Sequence, residues 1–159
     1  MSMKATPGTV TIEQVDAATT YPLRGRVLRP GQPVEIAGDD DPTTLHFVAR
    51  VDGSGQVVGV LRLHPAPCPW PEASGTSRAA WQLRGMATEP QVRGLGAGRA
   101  LIAAGLARVA ALGADLVWCD ARAAAVGFYE RMGFTVVTEE YQRIPNGPHV
   151  GMVVELPIR

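Results

Sequence analysis

One segment, Pro90-Gln91-Val92-Arg93-Gly94-Leu95-Gly96-Ala97-Gly98-Arg99, constrains this chain more than any other. Three glycines at alternate positions let successive peptide N–H groups turn toward one point. Residues 81–88 before it read as a strand, and residues 96–112 after it read as a helix. The run is therefore a strand-to-helix turn. The start of a helix contributes unpaired N–H donors and the positive end of its dipole. An anion, above all a phosphate, is the ligand such a turn suits.

Two familiar phosphate loops do not fit. A Walker A loop ends in Gly-Lys-Ser/Thr, and the single lysine of this chain is Lys4. A G-x-G-x-x-G fingerprint begun at Gly94 puts Arg99 at its third glycine, and one begun at Gly96 puts Leu101 there. What remains is R-x-x-G-x-G at Arg93, Gly96 and Gly98, with Arg93 and Arg99 as flanking cations. Downstream, residues 116–122 read as a short buried strand, and residues 123–132 as a helix closed by Gly133. That helix carries Phe128-Tyr129-Glu130-Arg131-Met132-Gly133-Phe134. The two motifs, in this order and about 30 residues apart, resemble the GCN5-related N-acetyltransferases (GNAT family). The resemblance spans roughly residues 44–156, and residues 139–152 are similar to the ElaA-type bacterial subgroup.

The rest of the chain alternates elements. Residues 9–15 read as a strand, 21–28 as a short helix, and 29–43 as a loop holding Asp39-Asp40-Asp41. Strands at 46–51 and 57–64 flank the hairpin signal Asp52-Gly53-Ser54-Gly55. Residues 65–80, with four prolines, read as loop. Strands at 135–141 and 149–156 close the chain around Asn146-Gly147-Pro148. The order β-α-β-β-β-α-β-α-β-β is that of an α/β protein with a mixed α+β sheet. The resemblance implies the acyl-CoA N-acyltransferase fold, a twisted mixed sheet with helices on both faces, as one N-acetyltransferase domain over residues 1–159.

Composition sets further bounds. Charged residues make up 19% of the chain and the formal net charge is zero, so no basic excess points to nucleic acid. No apolar stretch approaches the ~20 residues of a membrane span, and no signal peptide is evident, so a cytoplasmic setting is expected. Cys68 and Cys119 form no C-x-x-C pair, and no metal site is expected. In the helix at 96–112, Ile102, Leu106, Val109 and Leu112 recur on one face and read as core.

The resemblance implies a chemical task for each motif. Acetyl-CoA, as co-substrate, lays its pyrophosphate on the amides of Arg93, Gly94, Leu95, Gly96, Ala97, Gly98 and Arg99. Its pantetheine arm pairs with the edge of the preceding strand. There Gly85 marks a bulge, and the amides of Met86, Ala87 and Thr88 meet the thioester carbonyl. Tyr129, rotated off the centre of the stripe of Ala125, Phe128 and Met132 toward a ligand, is the general acid to the CoA thiolate. Arg122 stands where relatives carry an asparagine that contacts the cofactor. Glu89 and His149 are candidates for the base that takes the amine proton. The acceptor is an amine, shaped for by residues 21–28, the acidic run at 39–41 and the loop carrying Trp70. A non-catalytic acyl-CoA-binding sensor is the alternative reading. No nucleic-acid or membrane partner is expected, and the chain is expected to be a monomer or homodimer.

Overall fold

The computed structural model describes residues 9–77, 79–92 and 94–157. Its elements run β1 (Val10–Val15), α1 (Ala17–Val27), β2 (Leu45–Val51), β3 (Val57–Pro65), α2 (Pro71–Ser74), β4 (Ala80–Thr88) and α3 (Ala97–Ala111), then β5 (Leu116–Arg122), α4 (Val126–Arg131), β6 (Thr135–Val136), β7 (Tyr141–Arg143) and β8 (Gly147–Glu155). Single 3₁₀ turns, Pro90–Val92 and Ala123–Ala125, precede α3 and α4. The eight strands are hydrogen-bonded in the order β1-β2-β3-β4-β5-β8-β6, with β7 also on β8. The sheet is mixed, because β4 and β5 are parallel while β1–β2 and β5–β8 are antiparallel.

Two compact units share these elements. The first runs through Arg62 and adds Gly85–Ala104. In it, α1 starts four residues earlier than its sequence suggested. Asp16 caps the helix by accepting from the Thr19 amide at 3.1 Å, which satisfies one otherwise orphaned donor. Pro22 lies inside α1 and had disguised that start. Leu23 of α1 packs on Val48, Val60 and Ala87. Leu101 of α3 packs instead at Gly59, where an added Cβ would also stand 3.5 Å from Ala49 and Thr88. Those two sets are sequence neighbours on each strand, and neighbours on a strand point to opposite faces. Hence α1 and α3 cover opposite faces of this unit's strands. The hairpin Asp52-Gly53-Ser54-Gly55 forms as its sequence predicts, with Gly53 and Gly55 both at positive φ.

The second unit comprises Leu63–Arg84 and the chain from Gly105 onward. Here β5 and β8 pair over their whole lengths, from Leu116↔Glu155 to Arg122↔His149. Leu116, Trp118 and Val153 make a cluster that Ala66, Cys68 and Trp70 join. The residues between β3 and β4 are thus not all loop. Pro71 begins the short helix α2, and Trp70 lies on β8 at Gly151, where a Cβ would stand 2.5 Å from its ring. Trp118 meets Trp70 edge-on at 5.5 Å and donates from its indole to the Ala66 carbonyl at 2.9 Å. The single strand expected at 135–141 is two strands, β6 and β7. Between them the Thr138 hydroxyl accepts the Gly151 amide at 2.8 Å, replacing a backbone partner in the ladder. Helix α3 buries Leu106 and Val109 but not Leu112, which is 48% exposed beyond the helix end. Gly113, at φ 97°, closes α3 as a left-handed cap.

Candidate functional site

The glycine turn falls in the first unit. After β4, the Pro90–Val92 turn is tied down by the Val92 amide donating to the Glu89 carbonyl at 3.1 Å. Gly94 and Gly96 take φ values of 103° and 74°, which side-chain-bearing residues rarely adopt. Among the described residues, chain neighbours aside, no atom lies within 4 Å of where a Cβ would stand on either, so backbone conformation and not crowding requires glycine there. Gly98 differs, since it is already helical in the first turn of α3. The N–H groups of Ala97, Gly98 and Arg99 have no acceptors along the helix. Gly94, Gly96 and Arg99 are exposed, Leu95 and Gly98 half-buried and Ala97 buried. An open cradle of N–H groups with one exposed guanidinium results, and it fits a phosphate. Arg93 lies outside the described residues.

The strand leading into this turn carries Gly85 at φ 64°, a left-handed residue inside β4, as the bulge reading expects. Register between β4 and β5 runs over Ala80, Trp81 and Gln82. Ala87 is buried, while Met86 and Thr88 are half-buried. Glu89 at the end of β4 forms an ion pair with Arg26 of α1 at 2.5 Å.

A cluster that sequence reasoning missed lies beside Gly85. Asp39, first of the acidic run expected to shape the acceptor site, is turned inward; its side chain is 3% exposed. Its Oδ2 accepts from Arg24 Nη1 at 2.7 Å, from the Ile36 amide at 2.8 Å and from the Tyr21 hydroxyl at 3.3 Å. Its Oδ1 faces Arg62 Nε at 3.5 Å. Burial pushes Asp39 up, but the Ile36 amide, Arg24 and Arg62 outweigh it and hold the carboxyl below its ordinary range. His46 Nε2 meets the Asp39 carbonyl at 3.0 Å, and burial lowers its imidazole below the ordinary value. The signal was present in the sequence as Arg62, a charge within the apolar run of β3. Asp40 and Asp41 are exposed, and with Tyr21, Glu35 and Asp39 they line an open cavity of ≈ 420 Å³.

The remaining predicted residues fall in the second unit. Tyr129 is not turned away from the apolar stripe of α4. It is the buried member, 9% exposed, while Ala125, Phe128 and Met132 are half-buried. Phe128 and Phe134 both meet its ring edge-on at 5.4 Å, because the turn at Gly133 folds Phe134 back until its amide donates to the Tyr129 carbonyl. Burial, and then neighbouring Cys119, push the Tyr129 hydroxyl well up, with Arg122 opposing. Arg122 ends β5 in an exposed position. His149 is buried with Nδ1 at 2.9 Å from the Gly147 carbonyl, and its ring stacks on Tyr141. Tyr141 donates to Asp120, which also pairs with Arg143 at 2.5 Å. Among the described residues no cluster of His, Cys, Asp or Glu is arranged to hold a metal.

A family model described as "Acetyltransferase (GNAT) family" matches residues 14–134. The chain belongs to the GNAT family. This acetyltransferase is 30% identical over 142 residues to the uncharacterized N-acetyltransferase YitI of Bacillus subtilis (strain 168), covering 89% of this chain and 93% of YitI. Its fold is similar to that of Arabidopsis thaliana NAA60 in complex with acetyl-CoA, at TM-score 0.75 and 13% identity, over 93% of this chain and 99% of that one. Escherichia coli ElaA shares the fold at TM-score 0.67 and 19% identity, over 92% and 100% of the two chains. The protein is thus an N-acetyltransferase of the mixed-sheet GNAT fold. No helix among its described residues is long and apolar enough to cross a membrane.

Proposed function

We propose that this chain transfers the acetyl group of acetyl-CoA to an amine by direct attack, as a single domain. The observation that carries the reading is the pair of left-handed glycines, Gly94 and Gly96, opening α3. The amides of Gly94, Gly96, Ala97, Gly98 and Arg99 hold the pyrophosphate, that of Leu95 being donated to the Val92 carbonyl at 3.2 Å, and the Arg99 guanidinium adds a cation. The amides of Met86, Ala87 and Thr88 receive the thioester arm and steady the oxygen that becomes negative during attack. The amine nitrogen forms a bond to the carbonyl carbon, the C–S bond breaks, and CoA leaves as a thiolate. Tyr129 then gives that sulfur its proton, and the proton the nitrogen sheds on becoming the amide returns, by way of water, to the Tyr129 phenolate. Burial keeps the phenol protonated, and a thiolate forming in the same apolar surroundings is raised in basicity by the same cause. Arg122 contributes a cation beside Tyr129 where an asparagine would offer only an amide.

Of the candidate bases, Glu89 is committed to Arg26 and His149 is engaged by Gly147 and Tyr141. Proton removal from the amine therefore falls to water. The test is calorimetric titration with acetyl-CoA, with ATP and NAD as controls, followed by thiol release with amines. Micromolar binding of acetyl-CoA alone is expected. Binding without thiol release toward any amine would favour an acyl-CoA sensor, and no binding would remove the reading.

A further inference from the structure

Arg24 is 1% exposed and its arrangement is not that of a simple buried ion pair. The one carboxylate beside it is shared: Oδ2 of Asp39 faces Arg24 and Oδ1 faces Arg62. The three side chains together carry one net positive charge out of reach of solvent, an arrangement that folding alone disfavours. A methionine at position 24 would occupy similar volume and leave Asp39 with Arg62. Arg24 Nη1 is used by Asp39 and by the Val34 carbonyl at 3.2 Å. Its Nε has no hydrogen-bond acceptor among the described residues. That side of the guanidinium faces Gly85, where a built Cβ would meet Nε at 3.8 Å and Nη2 at 3.9 Å, with Ile36 also at 3.8 Å. Gly85 precedes the three amides, of Met86, Ala87 and Thr88, that receive the thioester in the proposed function, on which the following inference rests.

We infer that Arg24 is a positioning residue whose buried charge makes the bound ammonium group of the acceptor more acidic, so that water suffices to deprotonate it. A positive charge disfavours a second one nearby, and without solvent its field is poorly screened. The ammonium proton goes to water, the freed lone pair forms the C–N bond, the C–S bond breaks, and Tyr129 protonates the departing sulfur. The nitrogen's second proton, lost as the amide forms, restores Tyr129 by way of water. The same field favours the negative oxygen of the intermediate. Other charged or titratable groups face Arg24 from each neighbouring element: Tyr21 of its own helix, His46 of β2, Arg62 of β3 and Asp39 of the connecting loop. Glu35 and Asp40 are exposed and screened by solvent, and Glu89 is neutralised by Arg26. His46 titrates below the ordinary imidazole value, beneath the range in which an amine is read.

The experiment measures kcat against pH for three simple amines of graded basicity, glycinamide, ethanolamine and ethylamine, with acetyl-CoA and the amine both saturating, because kcat reports ionisation in the bound complex. In the wild type the acid limb is expected about one pH unit below each amine's own solution pKa. Arg24→Met should return the limb to that solution value, a roughly tenfold loss at neutral pH, while acetyl-CoA affinity stays within about twofold. Arg24→Lys, which keeps the charge, should keep the wild-type limb, and with the wild type it carries the comparison should Arg24→Met fold poorly. A merely structural role would alter thermal midpoints in both variants without moving the limb. A wild-type limb at each amine's own pKa, an unmoved limb in Arg24→Met, or equal shifts in both variants overturns the inference. Turnover of none of the three amines by protein that binds acetyl-CoA overturns it too, since the charge acts on the ammonium and not on the rest of the acceptor. Failure to bind acetyl-CoA, read separately by calorimetry, strikes instead at the proposed function.

Discussion

Replacing Gly59 by alanine tests how α3, and with it the glycine turn, is seated. The new methyl would stand 2.7 Å from Leu101 Cδ1, where carbon atoms prefer about 3.5–4.0 Å. Roughly 1 Å of overlap must be relieved at a site where Leu101 is 0% exposed and has nowhere to rotate. Overpacking of this kind costs about 1–3 kcal/mol. For a chain of this size, about 2 kcal/mol lowers the thermal midpoint by roughly 4–8 °C. Leu101→Ala alone should cost about 2–5 kcal/mol by leaving a cavity. Together the two changes should not add, because removing Cδ1 removes the clash and the new methyl fills part of the void. Urea unfolding of the four proteins should give a favourable coupling of about 1–3 kcal/mol. Acetyl-CoA affinity, weakened in Gly59→Ala as the first turn of α3 is pushed out, should recover in part in the double variant. Additivity within about 0.5 kcal/mol would refute the seating of α3 on Gly59.

Other expectations follow from the same packing and charges. Tyr129→Phe should lower kcat by about 10²–10⁴-fold with acetyl-CoA affinity nearly intact, since only the proton donor is removed; an equal loss of binding would assign the hydroxyl to holding cofactor or fold. Gly96→Glu should abolish acetyl-CoA binding in calorimetry, by forcing a side chain into left-handed backbone and a negative charge onto the pyrophosphate position. Gly151→Ala would put a methyl 2.5 Å from the Trp70 ring, so near-ultraviolet circular dichroism should report loss of the Trp70–Trp118 contact along with reduced stability. Stability should also fall in acid in two stages. His46 and Asp39 both have folded values below their unfolded ones, so the unfolded chain binds the extra protons. Their contributions are complete above about pH 6.5; that of His46 is lost as the pH falls below this, and that of Asp39 below about pH 4. A urea midpoint that is flat from pH 7.5 to 5 would contradict the burial of His46.

What the sequence made legible was local in origin. The Asp52–Gly55 hairpin, the glycine turn and the Gly133 stop each depend on backbone conformations that glycine alone adopts cheaply, and each formed as read. Features decided by distant partners were not legible. Asp39 sits in an acidic run that looks solvated, yet Arg24 and Arg62, 15 and 23 positions away, draw it into the interior. The apolar pattern at 135–141 suggests one strand, but the Thr138 hydroxyl takes the place of a backbone group on β8 and divides it. Helical spacing puts Tyr129 off the centre of its stripe, because it cannot foresee Phe134 returning to pack on its ring.

The burial of Cys119 bears on how catalysis can be followed. Its thiol is 2% exposed, and burial followed by Asp120 pushes it far above the ordinary thiol range. Thiolate, not thiol, reacts with chromogenic disulfides. In the folded enzyme Cys119 is therefore invisible to such reagents, leaving only the half-buried Cys68, whose Sγ leans on the Trp70 carbonyl. Released CoA can be titrated continuously against a background of at most one protein thiol, and any rise toward two would itself announce unfolding during the assay.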